Sequence, residues 1–304
     1  MPTDTAPVFA IDRALLRAVG LISAAAVALS ACAAPPATPR PGATDAAAAI
    51  GPQPAGTPNL ATPNAQAQSH LDAARAAIGA RDYAKAITAA QEAVKADGGA
   101  SATHYLLGNA YNQAASVEAD PAKRADYFNR AIASYQQAIA INSNNGDARH
   151  NLGTVFLQIG QNEQARAQFE AALAVDPNDA KTHYMLGTIY LQDDPTRSPQ
   201  SSARAQSEFE TALKQAPDLA EAYIGLAQVY LNKGDAAKAL ENAKKGVDMS
   251  APNVDPYSYW QLAQAQCATG DKAGGADTLR KVVAAQVPDP NFNQQVQQLI
   301  ATCK

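Results

Sequence analysis

The stretch that decides the fold spans residues 146–179 and reads GDARHNLGTVFLQIGQNEQARAQFEAALAVDPND. Its first half carries a Leu-Gly pair with an aromatic residue close behind, and its second half carries Ala, an aromatic residue and Ala. The same order of residues recurs on both sides of this stretch. The Leu-Gly pairs and their aromatics are Leu107-Gly108 with Tyr111, Leu152-Gly153 with Phe156, and Leu186-Gly187 with Tyr190. The second sets are Ala131, Tyr135 and Ala138; Ala165, Phe169 and Ala172; and Ala205, Phe209 and Ala212. This pattern predicts two helices in each repeated unit.

Small residues in this pattern are expected where helices cross, because only a hydrogen atom or a methyl group lets two backbones approach closely. The larger tyrosine and phenylalanine side chains would then fill the space beside them. Pro177 and Pro217 follow the second helix of their units, where a proline ends the helix and turns the chain into the next unit. An alanine-rich chain with only 6% aromatic residues fits such closely spaced helices.

These residues resemble the tetratricopeptide repeat, which has Leu-Gly and Tyr in its first helix, Ala, Phe and Ala in its second, and a closing Pro. The resemblance implies an all-α fold, a right-handed α-solenoid of stacked helix-turn-helix repeats with a C-terminal capping helix. Residues 291–301 read NFNQQVQQLIA, place apolar side chains at helical spacing, and are interpreted as that cap. The solenoid is predicted over residues 67–287, and the cap with the C-terminus over residues 288–304. The predicted repeats, about six in number, are 67–100, 101–145, 146–179, 180–219, 220–255 and 256–287, with insertions near 118–124 and 194–200.

Residues 1–31 are interpreted as a lipoprotein signal peptide. Residues 18–31 are uncharged and mostly apolar, follow Arg13 and Arg17, and end in small residues just before Cys32. The sequence LSAC at residues 29–32 resembles a bacterial lipobox, which implies that Cys32 is the site of lipid attachment. An uncleaved anchor and a plain cleaved signal remain as alternatives, since the uncharged stretch reaches the lower limit of about 17 residues for a spanning helix.

Residues 32–66 form an Ala- and Pro-rich segment that is predicted to be a disordered tether, because such a composition cannot build a packed core. Ala33 follows Cys32 where aspartate would be a retention signal in some Gram-negative bacteria. By resemblance to that sorting rule, the sequence favours the outer membrane, facing the periplasm. The expected location is therefore the bacterial cell envelope, with membrane contact through the lipid anchor.

The charge and motif content argue against several function classes. A formal net charge of -4 leaves no excess of basic residues for phosphates, so nucleic acid is not an expected partner. No glycine-rich phosphate loop, GxSxG elbow, HExxH motif or CxxC pair occurs, so we expect no enzyme activity, no cofactor and no metal. The four histidines, one in the first helix of each of four repeats, are interpreted as packing residues. They are His70, His104, His150 and His183.

The resemblance also implies a peptide groove, because the first helices of tetratricopeptide repeats line a concave surface that commonly holds an extended or helical segment. By register the groove would present Tyr105, Asn109, Asn112, His150, Thr154, Gln158, Tyr184, Thr188, Gln192, Gln228, Asn232, Trp260 and Gln264. This set is polar but almost uncharged. Lys181 alone could clamp a terminal carboxylate in the way that chaperone-binding members do, so a chaperone-tail role is not favoured. Binding on the convex side or at the inserted loops is the open alternative.

Two further features concern the last repeat. Trp260, the only tryptophan, is interpreted either as a binding anchor or as a packing residue against the neighbouring repeat. Cys267 and Cys303 are the two cysteines that remain beside Cys32, and in an oxidising compartment we expect them to form a disulfide. Free cysteines buried in a core are the alternative.

The leading function hypothesis is a scaffold for protein–protein interaction in the assembly of an envelope complex such as pilus, secretion, outer-membrane or cell-wall machinery. Its partners would be other envelope proteins or peptide segments. An accessory subunit of an exported polysaccharide- or peptidoglycan-processing system is the alternative. Capture of a small ligand or glycan in the groove is a weaker one, because the groove holds few aromatic residues.

Overall fold

The computed structural model describes residues 62–192 and 199–303, and these residues form 13 α-helices without a strand. The signal peptide, Cys32 and nearly all of the tether lie outside the described residues. The helices are α1 Ala65–Gly79, α2 Tyr83–Ala96, α3 Ser101–Val117, α4 Pro121–Ile141, α5 Gly146–Gln158, α6 Asn162–Leu173, α7 Ala180–Gln192, α8 Pro199–Gln215, α9 Ala220–Asn232, α10 Ala236–Ser250, α11 Pro256–Ala268, α12 Lys272–Ala284 and α13 Pro290–Thr302.

Most helices begin at a residue whose side chain accepts hydrogen bonds from the first turn. Asp120, Asp255 and Asp289 each accept from two backbone N–H groups, and each is followed by a proline at the first helical position. The carboxylate satisfies donors that have no partner inside the helix, while proline there loses no hydrogen bond. The sequence thus marks the starts of α4, α11 and α13 locally.

Short turns join the two helices of a unit, and one position in these turns has a left-handed backbone. Gly160 lies there between α5 and α6 at φ +77°, as do Gly234 and Gly270 in later units. Arg81 holds the same place between α1 and α2 at φ 59°. The turn is therefore a property of the repeat, since even an arginine is held in a conformation that favours glycine.

Successive helices pack against one another along the whole described chain, and the first helices of most neighbouring units also meet, as α7 meets α9 and α9 meets α11. The predicted all-α solenoid fold class is thereby confirmed. None of the helices in the two described ranges is both long and apolar enough to cross a bilayer.

The crossings of helices inside each unit depend on the glycine of the Leu-Gly pair. A Cβ atom at Gly108 would lie 2.6 Å from the Tyr135 ring, and one at Gly153 would lie 2.8 Å from the Phe169 ring. Real Cβ atoms do not approach this closely, so the ring of the second helix lies directly on the bare backbone of the first. The expected packing of large rings against small residues is observed.

Candidate functional site

A cavity of about 290 Å³ lies between the first helices of the last three units, α7, α9 and α11, and α13 contributes to its wall. We call it the C-terminal cavity. It is lined by Tyr184, Thr188, Leu191, Gln192, Phe209, Glu221, Ile224, Gly225, Gln228, Asn232, Asp255, Tyr257, Ser258, Trp260, Gln261, Gln264, Phe292 and Gln295. Among the predicted groove residues, Tyr184, Thr188, Gln192, Gln228, Asn232, Trp260 and Gln264 meet here. Tyr105, Asn109, Asn112, His150, Thr154 and Gln158 belong to α3 and α5 and do not line it.

Phe209 is held between two glycines of neighbouring units. A Cβ at Gly187 of α7 would lie 2.7 Å from its ring, and a Cβ at Gly225 of α9 would lie 2.5 Å from it. The ring is 1% exposed, and the Tyr184 ring lies 5.9 Å from it, centre to centre. Because Phe209 contacts the glycine of its own unit and that of the next, it fixes the spacing of α7 and α9 and forms the apolar base of the cavity.

The capping helix α13 forms part of the cavity wall through Phe292. Its ring centre lies 4.3 Å from that of Tyr257 and 5.8 Å from that of Trp260, the latter edge-on. A disulfide between Cys267 and Cys303 joins the end of α13 to α11, with the two Cα atoms 5.4 Å apart. The cap therefore shapes the cavity and is tied covalently to the helix that carries Trp260.

A chain of side-chain amides runs across α9 and α11. Gln261 donates from Nε2 to Gln228 Oε1 at 2.6 Å, and Gln228 donates from Nε2 to Asn232 Oδ1 at 2.7 Å. Three other polar atoms of the wall have no such partner. Trp260 Nε1, Gln261 Oε1 and Gln264 Oε1 are buried without a hydrogen bond to any described residue. A buried polar atom without a partner costs about 1–3 kcal/mol, so the cavity wall holds one donor and two acceptors suited to a ligand.

The charge of the C-terminal cavity is negative. Glu221, from the first turn of α9, and Asp255, the N-cap of α11, are its ionisable carboxylates, and none of the described lining residues is basic. Burial raises the pKa of the Tyr184 hydroxyl, and the charges of Glu221 and Asp255 raise that pKa further. The field of both carboxylates therefore reaches a residue on the opposite wall.

Two predicted groove residues of α3, Tyr105 and Asn109, are hydrogen-bonded to Asn151 of α5, which was not among the predicted groove residues. Tyr135 donates to Asn109 Oδ1 at 2.7 Å, and Asn151 Nδ2 contacts the same oxygen at 2.9 Å and the Tyr105 hydroxyl at 3.2 Å. We call these four residues the N-terminal network. Burial raises the pKa of both tyrosines, Tyr135 well above its ordinary value. Their hydroxyls therefore act as hydrogen-bonding groups within the protein.

The remaining groove residues of α3 and α5 have mixed environments. His150 Nδ1 lies 2.6 Å from Thr182 Oγ1, and its ring meets Phe169 edge-on at 5.5 Å. Burial lowers the pKa of His150, although the nearby Asp179 charge acts in the opposite direction. Thr154 donates back to the His150 carbonyl at 3.1 Å. Asn112 Oδ1 and Gln158 Oε1 are buried without a partner among the described residues.

His183 and His104 take part in local hydrogen bonds. His183 lies 2.7 Å from Glu208 Oε2 through Nδ1 and 3.0 Å from the Pro177 carbonyl through Nε2. His104 Nε2 lies 3.1 Å from the Gly98 carbonyl. Within the part of the chain that the structure describes, no three His, Cys, Asp or Glu side chains form a group that could hold a metal ion.

Several lining residues were missed from the sequence. Ile224 stands two residues before Leu226, as Tyr184 does before Leu186 and Trp260 before Leu262, so the register contained the signal for it. Glu221, Ser258 and Gln261 lie on the same first helices as the predicted groove residues, but at other positions of the repeat. Phe292 and Gln295 had no such signal, because the sequence does not say against which helices a capping helix packs.

A second concavity lies at the other end of the molecule, between α2 and α4. It includes Ala122 and Lys123 of the predicted insertion, together with Tyr111 and Arg130, whose guanidinium lies 5.7 Å from the Tyr111 ring centre. Residues 121–124 of that insertion form the first turn of α4 rather than a loop, and the alternative of binding at the insertion would use this surface. Its described walls show no buried side-chain polar atom without a partner.

Two family models, both described as tetratricopeptide repeat, match the sequence: one over residues 125–192, the other over residues 71–139 and 200–254. Together they span more than half of the chain. No curated protein matches the sequence significantly.

Among solved structures, that of PilF of Pseudomonas aeruginosa is 13% identical, with a TM-score of 0.63 over 77% of this chain and 97% of PilF. PilW, described as a widely conserved type IV pilus biogenesis factor, is 16% identical, with a TM-score of 0.62 over 77% of this chain and 99% of PilW. A chain of the APC/C hetero-tetramer Cut9–Hcn1 is 13% identical, with a TM-score of 0.62 over 78% of this chain and 42% of that one. These TM-scores show a shared fold, and at such low identity they show nothing beyond the fold.

Proposed function

Because this chain is built from tetratricopeptide repeats, we propose that it is a scaffold protein of the bacterial cell envelope that holds a segment of another protein in its predicted groove. The observation that carries the proposal is the C-terminal cavity, where Trp260, Gln261 and Gln264 each keep a buried polar atom without a partner. A bound segment would supply those hydrogen bonds, and its side chains would fill the apolar base.

The chemistry of the cavity favours binding over catalysis. Its described lining residues include no histidine, cysteine or lysine, the side chains that most often act as bases or nucleophiles near neutral pH. Of the two carboxylates, Asp255 already accepts bonds from the backbone N–H groups of Tyr257 and Ser258. The site is thus better suited to holding a partner than to transforming one.

The envelope location rests on the N-terminal sequence. The LSAC stretch that ends at Cys32 resembles a lipobox, and the Ala- and Pro-rich residues 32–66 would let the repeats stand away from the membrane. The similarity in fold to PilF and PilW supports an envelope role, since PilW is described as a pilus biogenesis factor. We propose that lipid on Cys32 anchors the chain and that the repeats project from the membrane toward a partner complex.

Crosslinking in living cells, followed by affinity purification and mass spectrometry, tests the two parts of this proposal separately. The wild type is compared with Cys32→Ala, which removes the proposed lipid site, and with Gln264→Arg, which places a large cation in the cavity. Gln164→Arg on the exposed face of α6 is the matched control. We expect the wild type to carry a lipid on Cys32 and to lack residues 1–31, Cys32→Ala to lack the lipid and to keep those residues, and Gln264→Arg to lose the partner, while Gln164→Arg behaves as the wild type.

Each arm can fail by itself. Absence of a lipid on Cys32 of the purified wild type, measured by mass spectrometry of its N-terminal peptide, would overturn the lipid anchor. An unchanged set of partners in Gln264→Arg would overturn the cavity as the binding site and would direct attention to the concavity between α2 and α4.

A further inference from the structure

We infer that the C-terminal cavity selects an extended, cationic segment of its partner, one in which an apolar side chain is flanked by lysine or arginine. The inference rests on the proposed scaffold function and adds the chemical class of the segment. It follows from three properties of the wall: its unpaired hydrogen-bonding groups, its apolar base and its charge.

The unpaired groups match the backbone of an extended peptide. Trp260 Nε1 can donate to a carbonyl, while Gln261 Oε1 and Gln264 Oε1 can each accept from an N–H group. Peptide units present both kinds of group alternately along an extended chain. These side chains are also ordered in advance, since Gln261 is held by its bond to Gln228 and Trp260 by its contact with Phe292. Ordering before binding lowers the entropic cost of capture.

The apolar base suits one sizeable hydrophobic side chain. Phe209, Ile224 and Phe292 line the cavity together, and Phe209 and Phe292 are buried. The volume of about 290 Å³ is close to the lower limit of the roughly 300–1,000 Å³ found for ligand sites. A single aromatic or aliphatic anchor with its flanking backbone therefore fits better than a folded surface.

The charge decides the flanking residues. Glu221 and Asp255 lie in a partly enclosed wall where a charge interacts more strongly than in bulk water, and none of the described lining residues is basic to offset them. A lysine or arginine beside the anchor gains from both carboxylates. An acidic segment, or a chain terminus that presents its carboxylate, meets like charge and is rejected.

The experiment uses Trp260 as its reporter, because it is the only tryptophan in the chain and lies in the cavity wall. The full, oxidised protein is titrated with capped pentapeptides that contain neither tryptophan nor tyrosine: Gly-Lys-Phe-Lys-Gly, Gly-Gln-Phe-Gln-Gly and Gly-Glu-Phe-Glu-Gly. We expect a saturable change in Trp260 emission with the lysine peptide that weakens as salt is added. Binding should be about fivefold or more weaker with the glutamine peptide, and weakest with the glutamate peptide.

Three variants assign the preference to the cavity. Glu221→Gln and Asp255→Asn should each reduce the lysine-over-glutamine preference about twofold, and asparagine at 255 still serves as an N-cap. Glu163→Gln, on the exposed part of α6, is the matched control and should leave the preference unchanged.

Equal affinity for the lysine and glutamate peptides, or no change in Trp260 emission with any of the three up to millimolar concentration, would overturn this inference. Those results would leave the scaffold function standing if the cellular experiment still recovers a partner that Gln264→Arg loses. Failure of that cellular experiment, by contrast, counts against the scaffold function itself.

Discussion

The predicted groove is built on the same repeat at both ends, but its polar side chains form different hydrogen bonds in α3 and α5 than in α9 and α11. In α3 and α5, Asn151 bonds to Tyr105 and Asn109, and Tyr135 of α4 bonds to Asn109, so these four residues satisfy one another, whereas Asn112 and Gln158 keep buried oxygens away from the cavity. In α9 and α11, the amides pair only in part, and Trp260, Gln261 and Gln264 keep buried polar atoms beside a cavity. The difference shows that the repeat fixes where a groove residue lies, whereas its neighbours determine whether that residue is available to a ligand.

The largest expected effect comes from removing a phenylalanine ring of a second helix, because such rings pack against the glycine of the first helix in both parts of the groove. Phe169→Ala and Phe209→Ala should each lower the free energy of unfolding by about 3–5 kcal/mol, because both rings are fully buried against glycine. Only Phe209→Ala should also weaken peptide binding, since Phe209 lines the C-terminal cavity. Urea unfolding followed by circular dichroism, with the Trp260 titration, measures both effects. A loss below about 1 kcal/mol at Phe209 would contradict the two-glycine packing.

The next effect concerns the disulfide, which belongs to the C-terminal half alone. Cys267→Ser with Cys303→Ser opens a closure across 36 residues and should cost about 3–4 kcal/mol, concentrated in α11 to α13. Amide hydrogen exchange should show faster opening of α13 while α3 and α5 stay protected. Equal loss of protection in α3 would mean that the solenoid unfolds as a single unit and that the two halves are not independent.

Replacing a polar residue should lower the free energy of unfolding in the N-terminal network but not in the C-terminal cavity. Asn109→Leu leaves the buried Tyr135 hydroxyl without its acceptor and should destabilise the chain by about 1–3 kcal/mol. Gln264→Leu removes an oxygen that has no partner and should be neutral or stabilising by up to about 1 kcal/mol, at the expense of binding. Urea unfolding of both variants tests this. Destabilisation of similar size at both positions would remove the distinction between a residue of the N-terminal network and a residue of the cavity wall.

The smallest expected effect is a pH dependence of the N-terminal half through His150. Burial lowers the pKa of His150 in the folded protein, with Asp179 and Asp147 opposing and Lys181 adding to the shift. As the pH falls below about 6.5, the unfolded chain takes up a proton more readily than the folded one, so the free energy of unfolding decreases. Above that pH the residue contributes no such dependence.

His150→Gln should flatten this part of the curve when unfolding is measured at pH values between about 7.5 and 5.5. The same substitution at His70, on α1, controls for the loss of an imidazole. A curve unchanged by His150→Gln would contradict a contribution of His150 to the pH dependence of stability in this range.

The sequence predicts the crossings inside each unit because they are local. Gly108 and Tyr135, or Gly153 and Phe169, lie within one repeat, and their spacing alone brings ring and glycine together. The cavity was predicted only in part, because it depends on neighbours that come from elsewhere in the chain. Phe292 reaches Trp260 from the capping helix, and the pairing of Gln261 with Gln228 decides which amide oxygen remains unbonded. Sequence periodicity does not contain such information, since it indicates which residues share a face of a helix and not which residues of other helices they contact.

The position of Phe209 between Gly187 and Gly225 also limits how this molecule could have grown by duplication. The units at 146–179 and 180–219 carry Asn151 and Met185 at the register position that Gly225 holds in the unit after them. A second copy of 180–219, inserted behind the first, would press the Met185 side chain into the Phe209 ring of the copy before it. The close contact of Phe209 with the following unit is therefore kept only when units 180–219 and 220–255 stay together, and the junction between them is the one that a redesign should leave intact.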